Sequence, residues 1–316
     1  MTMRLFPAGR PAVCLAPMAG FSDRTFRILC REKGADLVFS EMISAKGLLY
    51  GSDKTRALYF TREGDEPFSV QLFGSEPETV ARAVRILEND LGKKLLSIDL
   101  NMGCPAPKIA SNGDGCALML DPALAGRIVA AAVGTAHVPI SVKFRKGWDA
   151  AHENAVEFAR VCQESGAAFL TIHGRTREQM YAGKADRACM AAVKRAVGIP
   201  VIANGDVHDA KSALDVLRET GCDGVMIGRG ALGNPFVFEE VRCALEGRVY
   251  TPPDWDERRE TALRHAQMAL YEKGDHAIVE LRKHLAFYLR GAKDAAKLRT
   301  RVNACKTLEE LRQIWG

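Results

Sequence analysis

Apolar runs of strand length recur along the chain at residues 13–16, 37–40, 68–72, 96–101, 140–144, 169–173, 201–204 and 224–227, each closed by turn residues. Amphipathic stretches of helical length fall between most of them, at 77–89, 122–133, 151–165, 188–196 and 210–219. Eight strands with intervening helices point to an α/β fold of the TIM (β/α)8 barrel type, while a doubly wound sheet with the same alternation satisfies the periodicity equally. The pattern changes after Gly233-Asn234-Pro235. A helix predicted at 236–245 is followed by Gly247 and by Thr251-Pro252-Pro253-Asp254, which combines turn chemistry with an N-cap. From Trp255 onward no strand pattern remains, and helices are expected near 257–273, 276–289, 295–304 and 308–314. The expected organisation is a barrel domain over 1–247 and a small C-terminal helical domain over 248–316, with no internal repeat or low-complexity tract.

A chain of 316 residues fits one large domain with an appendage better than two equal halves. Its 47% apolar and 26% charged content is that of a soluble globular enzyme, and no window of about 18 apolar residues suggests a membrane span. Residues 1–10 lack the apolar core of a signal peptide. Nine cysteines occur without a C-x-x-C pair, and their odd number and scattered spacing argue against a disulfide framework or a zinc site. A cytoplasmic location and no metal are therefore expected. The net charge of +5 permits an anionic partner without demanding one.

Candidate chemistry gathers where the strands end, the face on which barrels build their active sites. The stretch Leu96 to Leu120 is the most telling, because a buried strand stops at Asn101 and Cys104, with Pro105 and Pro107 stiffening the turn and Gly113 and Gly115 allowing close backbone approach. Cys104 taken alone reads as an ordinary core cysteine, and it is its neighbours elsewhere in the chain that point to chemistry. Lys143 is a long cation on a buried strand, so it needs either an anionic ligand or a buried carboxylate. His173, before Gly174-Arg175, suits a ring or phosphate contact or a satisfied core position. Gln71 offers an amide for a heterocycle edge, or a strand end bonded to backbone. The turns Asn204-Gly205-Asp206 and Gly228-Arg229-Gly230, after the last two strands, have the form of a phosphate site; alternatively their glycines serve geometry and Arg229 is a solvated charge.

The segments CLAPMAGFSDRTFR, DLNMGCPAPKIASNGDGCALM, SVKFRKGWD, TIHGRTREQMYAGKAD, VIANGDV and GVMIGRGALGNPFVF, with the Gln71 strand, resemble the flavin-dependent tRNA-dihydrouridine synthases. RKHLAFYLRGAKDAAKLRTRVN resembles the helical domain of the bacterial B-type branch, so the likeness runs from about Val13 to Asn303. Departures are small: Phe144 stands where the family often has another apolar residue, and Arg187 where an aromatic is usual, the second bearing on local packing rather than chemistry. The resemblance implies an FMN-containing barrel that reduces the C5–C6 double bond of selected tRNA uridines, with NADPH reloading the flavin. By the same likeness Pro17 and Met18 abut the isoalloxazine, Gln71, Lys143 and His173 contact the flavin, and Asn204, Gly205, Asp206, Gly228 and Arg229 enclose its phosphate. Asn101 and Arg145 would place the uracil and Cys104 would be the general acid, a role open to a thiol whose usual pKa is about 8.5. An FMN barrel of the dihydroorotate dehydrogenase type and a non-catalytic RNA-binding protein are the competing readings.

Between Leu281 and Lys306 the residues Arg282, Lys283, Arg290, Lys293, Lys297, Arg299, Arg301 and Lys306 stand against the single acid Asp294. If one helix runs beyond Gly291, Lys293, Lys297 and Arg301 share a face at i, i+4, i+8 spacing. That face is either solvated or, together with Arg282 and Lys283, a contact for the RNA backbone. A monomer is expected.

Overall fold

The computed structural model describes residues 5–62 and 65–315, so the first four residues of the N-terminal arm, where no signal peptide is expected, lie outside it. Eight strands, β1 (Ala12–Leu15), β2 (Leu37–Ser44), β3 (Phe68–Phe73), β4 (Leu95–Met102), β5 (Ile140–Arg145), β6 (Phe169–His173), β7 (Val201–Asn204) and β8 (Gly224–Ile227), form a closed barrel in sequence order. Every pairing is parallel, and β1 pairs with β8 through Ala12↔Gly224 to Leu15↔Ile227. That closure establishes the TIM barrel and removes the doubly wound alternative.

The two faces of the strands differ in character. Along β4, Ile98, Leu100 and Met102 pack outward into the layer beneath the helices, leaving Ser97, Asp99 and Asn101 to the barrel interior. Neighbouring strands do the same with Ser69 and Gln71, Ser141 and Lys143, and Thr171 and His173, so this side of the interior is polar. Apolar Ala12, Cys14, Phe39, Phe169, Ile202 and Met226 fill the rest. Register then sets the heights at the mouth, pairing Arg145 with His173 and His173 with Asn204 across adjacent strands.

The helices follow their local signals. Asp23 caps Arg24–Glu32 by accepting from Phe26 N at 3.1 Å, Asp209 and Ser212 form a reciprocal capping box for Ala210–Thr220, and Pro77 and Pro122 sit in first turns. Two short helices, Ala45–Leu49 and Asp53–Ala57, fill the β2–β3 connection and were not anticipated; each is too brief to display a helical period.

Beyond the barrel, helices Trp255–Lys273, Ala277–Tyr288, Ala295–Ala304 and Leu308–Trp315 enclose their own core of Ala262, Ala266, Ile278, Leu281, Leu285, Tyr288, Val302, Leu311 and Trp315. This bundle leans on Arg24–Glu32 through Lys273–Asp23 (2.9 Å), Arg264–Glu32 (2.7 Å) and Lys33–Glu257 (2.9 Å). At the centre of the seam the His284 ring lies 4.9 Å from Phe21 and 4.9 Å from His265. Gly233 (φ +63°) brings the turn after β8 against the Phe287 backbone, where a Cβ would come within 2.3 Å. The expected basic face is not continuous. The helix ends at Tyr288, and Gly291 (φ +82°) and Asp294 (φ +57°) turn the chain before Ala295–Ala304 begins, so only Lys297 and Arg301 share a helix. Among the described residues no helix is long and apolar enough to cross a membrane.

Candidate active site at the barrel mouth

A cavity of about 790 Å³ opens at the carboxyl ends of the strands. Its walls include Pro17, Met18, Gln71, Asn101, Cys104, Lys143, Arg145, His173, Asn204, Gly205, Asp206, Gly228 and Arg229, so the residues singled out on separate strands meet in one place. Arg175, Tyr181, Phe287 and Arg290 line it as well and were not assigned roles from sequence.

A chain of hydrogen bonds forms the floor. Asp99 accepts from Ser141 Oγ at 2.6 Å and from Gln71 Nε2 at 2.7 Å, and Gln71 Oε1 accepts from Asn101 Nδ2 at 2.8 Å. Asn101 Oδ1 in turn accepts from Gly103 N (3.2 Å) and Cys104 N (2.9 Å). Gln71 is thus bonded to side chains, neither to backbone nor free, and Asn101 braces the Cys104 turn. Burial pushes the Asp99 carboxyl up to about 6. Lys143 makes no hydrogen bond or ion pair among the described residues, and burial and then Arg145 bring its ammonium down to about 8. Asp99 opposes that fall through space, without a direct contact.

Cys104 sits half-buried, with its carbonyl accepting from Cys116 N at 3.2 Å. Gly115 (φ +60°) is needed where the returning loop passes, since a Cβ there would stand 3.1 Å from Cys104 Cβ. Burial raises the Cys104 thiol above its ordinary pKa, which keeps the proton on sulfur at neutral pH. Arg145 pins the same turn by donating from Nε to Gly103 O at 2.9 Å, while its Nη1 holds Thr176 O (2.8 Å) and Met180 O (2.9 Å).

The other half of the mouth presents backbone donors. The N–H groups of Gly205, Asp206, Gly228 and Arg229, all residues of the cavity wall, donate to nothing else among the described residues. Gly230 lets the two turns approach, because a Cβ would fall 2.5 Å from Val207 O. The Asp206 carboxylate is already engaged: it accepts from Arg175 Nη2 (2.7 Å) and Ala185 N (2.7 Å) and lies 3.7 Å from Arg229 Nη2, and these contacts outweigh its burial and hold its pKa below the usual range. Arg175 is fully buried and also donates to Ala182 O (3.0 Å) and Gly183 O (2.6 Å), strapping residues 182–185 to the end of β7. Burial, then Lys143, Arg145, Arg175 and Arg229, push the His173 imidazole well below its ordinary pKa, so it is neutral. Half-exposed Arg229 stacks over Tyr181 at 4.8 Å.

The basic segment divides. Arg282 caps Ala295–Ala304 by donating to Cys305 O at 2.8 Å, Lys283 reaches over Phe21 at 5.0 Å near the mouth, and Arg290 is part of the cavity wall. Lys293, Lys297 and Arg301 are exposed, and Arg301 touches Gln313 O at 3.2 Å. Among the described residues no group of His, Cys, Asp and Glu could hold a metal ion.

Comparison with known proteins adds a second line. The sequence model of the family described as dihydrouridine synthase (Dus) matches residues 14–315. A protein of Xanthomonas axonopodis pv. citri (strain 306) named tRNA-dihydrouridine synthase B is 43% identical over 94% of this chain and 89% of its own. The protein of that name in Pseudomonas putida is 40% identical, over 93% of this chain and 87% of its own. A Rickettsia bellii protein named probable tRNA-dihydrouridine synthase is 40% identical over 92% of this chain and 89% of its own.

Proposed function

The chain belongs to the dihydrouridine synthase family, and from that premise we infer that the mouth cavity holds FMN and works on a uridine of tRNA. As a tRNA-dihydrouridine synthase it reduces the C5–C6 double bond of the uracil ring. One observation carries the assignment: an unpaired Lys143, a protonated thiol at Cys104 and two turns of free N–H groups converge in a single cavity.

The residues present fit FMN. The N–H groups at 205–206 and 228–229, with Arg229, suit its phosphate; Pro17 and Met18 suit the ring face, and Lys143, Gln71 and His173 its polar edge. FMN bound there would supply hydride chemistry toward C6 of the uracil, with NADPH as its reductant. Cys104 Sγ–H gives the proton to C5, and Asn101 and Arg145 keep the turn that carries it in place. Arg145 Nη2, the guanidinium nitrogen left without a partner among the described residues, serves a uracil carbonyl. Neutral His173 cannot add to the positive field of Lys143, which stabilises negative charge at the polar edge.

A base stacked inside folded RNA cannot reach a barrel mouth, so the uridine swings out, at a cost of a few kcal/mol that is least in loops. Lys283 and Arg290 beside the opening, and Lys293, Lys297 and Arg301 farther out, meet the RNA backbone, with the protein acting as a cytoplasmic monomer. The test is anaerobic. Purified protein should be yellow, and once reduced by NADPH it should be reoxidised by tRNA lacking dihydrouridine, one modified base per flavin. Protein that retains no FMN and leaves tRNA unchanged overturns the reading.

A further inference from the structure

Asp99 is the one buried carboxylate of the floor, and the reaction as described gives it nothing to do. Its position is informative for two reasons. A carboxylate only accepts hydrogen bonds, so Gln71 must turn its NH2 toward it and its oxygen toward Asn101. Asn101 must then donate to Gln71 and present its own oxygen to Gly103 N and Cys104 N, which can only donate. An acceptor at one end and donors at the other fix both amides in one direction. The second reason is charge. Lys143 lies on the neighbouring strand, where Asn101 pairs with Lys143 and Asp99 with Ser141 in the parallel ladder. Lys143 is faced by Arg145 from its own strand, by His173 from β6, by Cys104 and Cys116 from the loop after β4, and, as the carboxylate with the largest effect on it among the described residues, by Asp99.

We propose that Asp99 is a positioning residue of the active site, directing the Gln71–Asn101 chain that seats the Cys104 turn and placing a carboxylate diagonally across the β4–β5 ladder from the Lys143 ammonium. Its importance for turnover rests on the roles given above to Cys104 and Lys143, whereas its effect on those two residues is measurable without tRNA. Two substitutions separate the parts. Asp99→Asn keeps an acceptor for Gln71, with its NH2 turned to Ser141, and removes only the charge. Asp99→Leu removes both.

The readouts on purified full-length protein are the pH dependence of Lys143 acylation, amide exchange at Gly103 and Cys104, and the pH profile of tRNA reduction. In Asp99→Asn, Lys143 should become reactive about one pH unit lower, the alkaline limb of the profile should move down with it, and exchange at 103–104 should stay within threefold of wild type. Asp99→Leu should add at least fivefold faster exchange at 103–104. If that variant is insoluble, Gln71→Met interrupts the same chain and should give the same acceleration. An unmoved Lys143 in Asp99→Asn, or unchanged exchange when the chain is cut, overturns the proposal. Neither result depends on whether tRNA is the substrate, so a failure here is distinct from a failure of the assigned activity.

Discussion

Acidification should loosen the seam between barrel and helical bundle, and His265 sets the scale. Its ring is fully buried, stacked on Phe26 at 5.7 Å, with Nδ1 3.3 Å from the Tyr288 hydroxyl and Nε2 without a partner. Burial, against an attraction from Asp23, brings its pKa down to about 4. An unfolded histidine titrates near about 6.5. Between those values the unfolded chain binds the proton and the folded protein does not, so stability is whole above pH ~6.5 and falls as pH falls toward 4. At pH 5 the deficit from His265 is about 2 kcal/mol, from ~1.5 units at 1.36 kcal/mol each. His284 is also held neutral, first by burial and then by His265, and adds to the loss. Asp23 titrates elsewhere: burial disfavours its charge, but Lys273 and His265 prevail and hold it well below the carboxylate range, so its contribution is lost only below about pH 4. Urea unfolding of wild type and His265→Gln at pH 7 and pH 5 measures the difference. Wild type should lose about 2 kcal/mol more than the variant over that interval; equal losses would refute the argument.

Other outcomes follow from the same geometry. Arg175→Met removes the buried partner of Asp206, which keeps Ala185 N and Arg229, and leaves the Ala182 and Gly183 carbonyls without their donor; it should cost about 1–2 kcal/mol in denaturant unfolding, with faster amide exchange across 182–185. Arg229→Ala should weaken FMN retention about tenfold, roughly 1.4 kcal/mol, since the side chain is half-exposed and its contact correspondingly modest; equal affinity would take it out of the phosphate site. Lys297→Glu with Arg301→Glu should lower tRNA affinity and reduce the slope of log affinity against log salt by about 0.7–0.9 for each phosphate that is no longer neutralised, leaving FMN content unchanged. An unaltered slope would mean that this face points to solvent.

The barrel was legible because each strand is an apolar run closed by turn residues, and because the polar residues of the mouth sit directly after those runs. Gln71, Asn101, Lys143 and His173 could be picked out as strand-end residues, and Cys104 from the Gly-Cys-Pro turn that follows. Their interactions could not. Asp99 lies inside an apolar-looking segment and acquires meaning only from Gln71 and Ser141, which come from neighbouring strands. Arg175 was visible as the residue after His173-Gly174, but its acceptors include two carbonyls of a loop with no sequence signature. Asp206 was expected at a phosphate; its place in the Asn-Gly-Asp turn was readable, and the direction of its carboxylate was not. The shared basic face depended on one helix running past Gly291; instead two left-handed residues, Gly291 and Asp294, separate the two helices that the sequence places at 276–289 and 295–304.

The account stands most directly on Cys104 as the proton donor, and its two half-reactions can be watched separately through flavin absorbance. In Cys104→Ala, reduction by NADPH should remain within about threefold of wild type, because no proton from the thiol is needed to load the flavin. Reoxidation by tRNA should fall at least about a hundredfold, the scale of a lost general acid. Undiminished reoxidation in that variant, with dihydrouridine formed at the wild-type rate, would contradict the account.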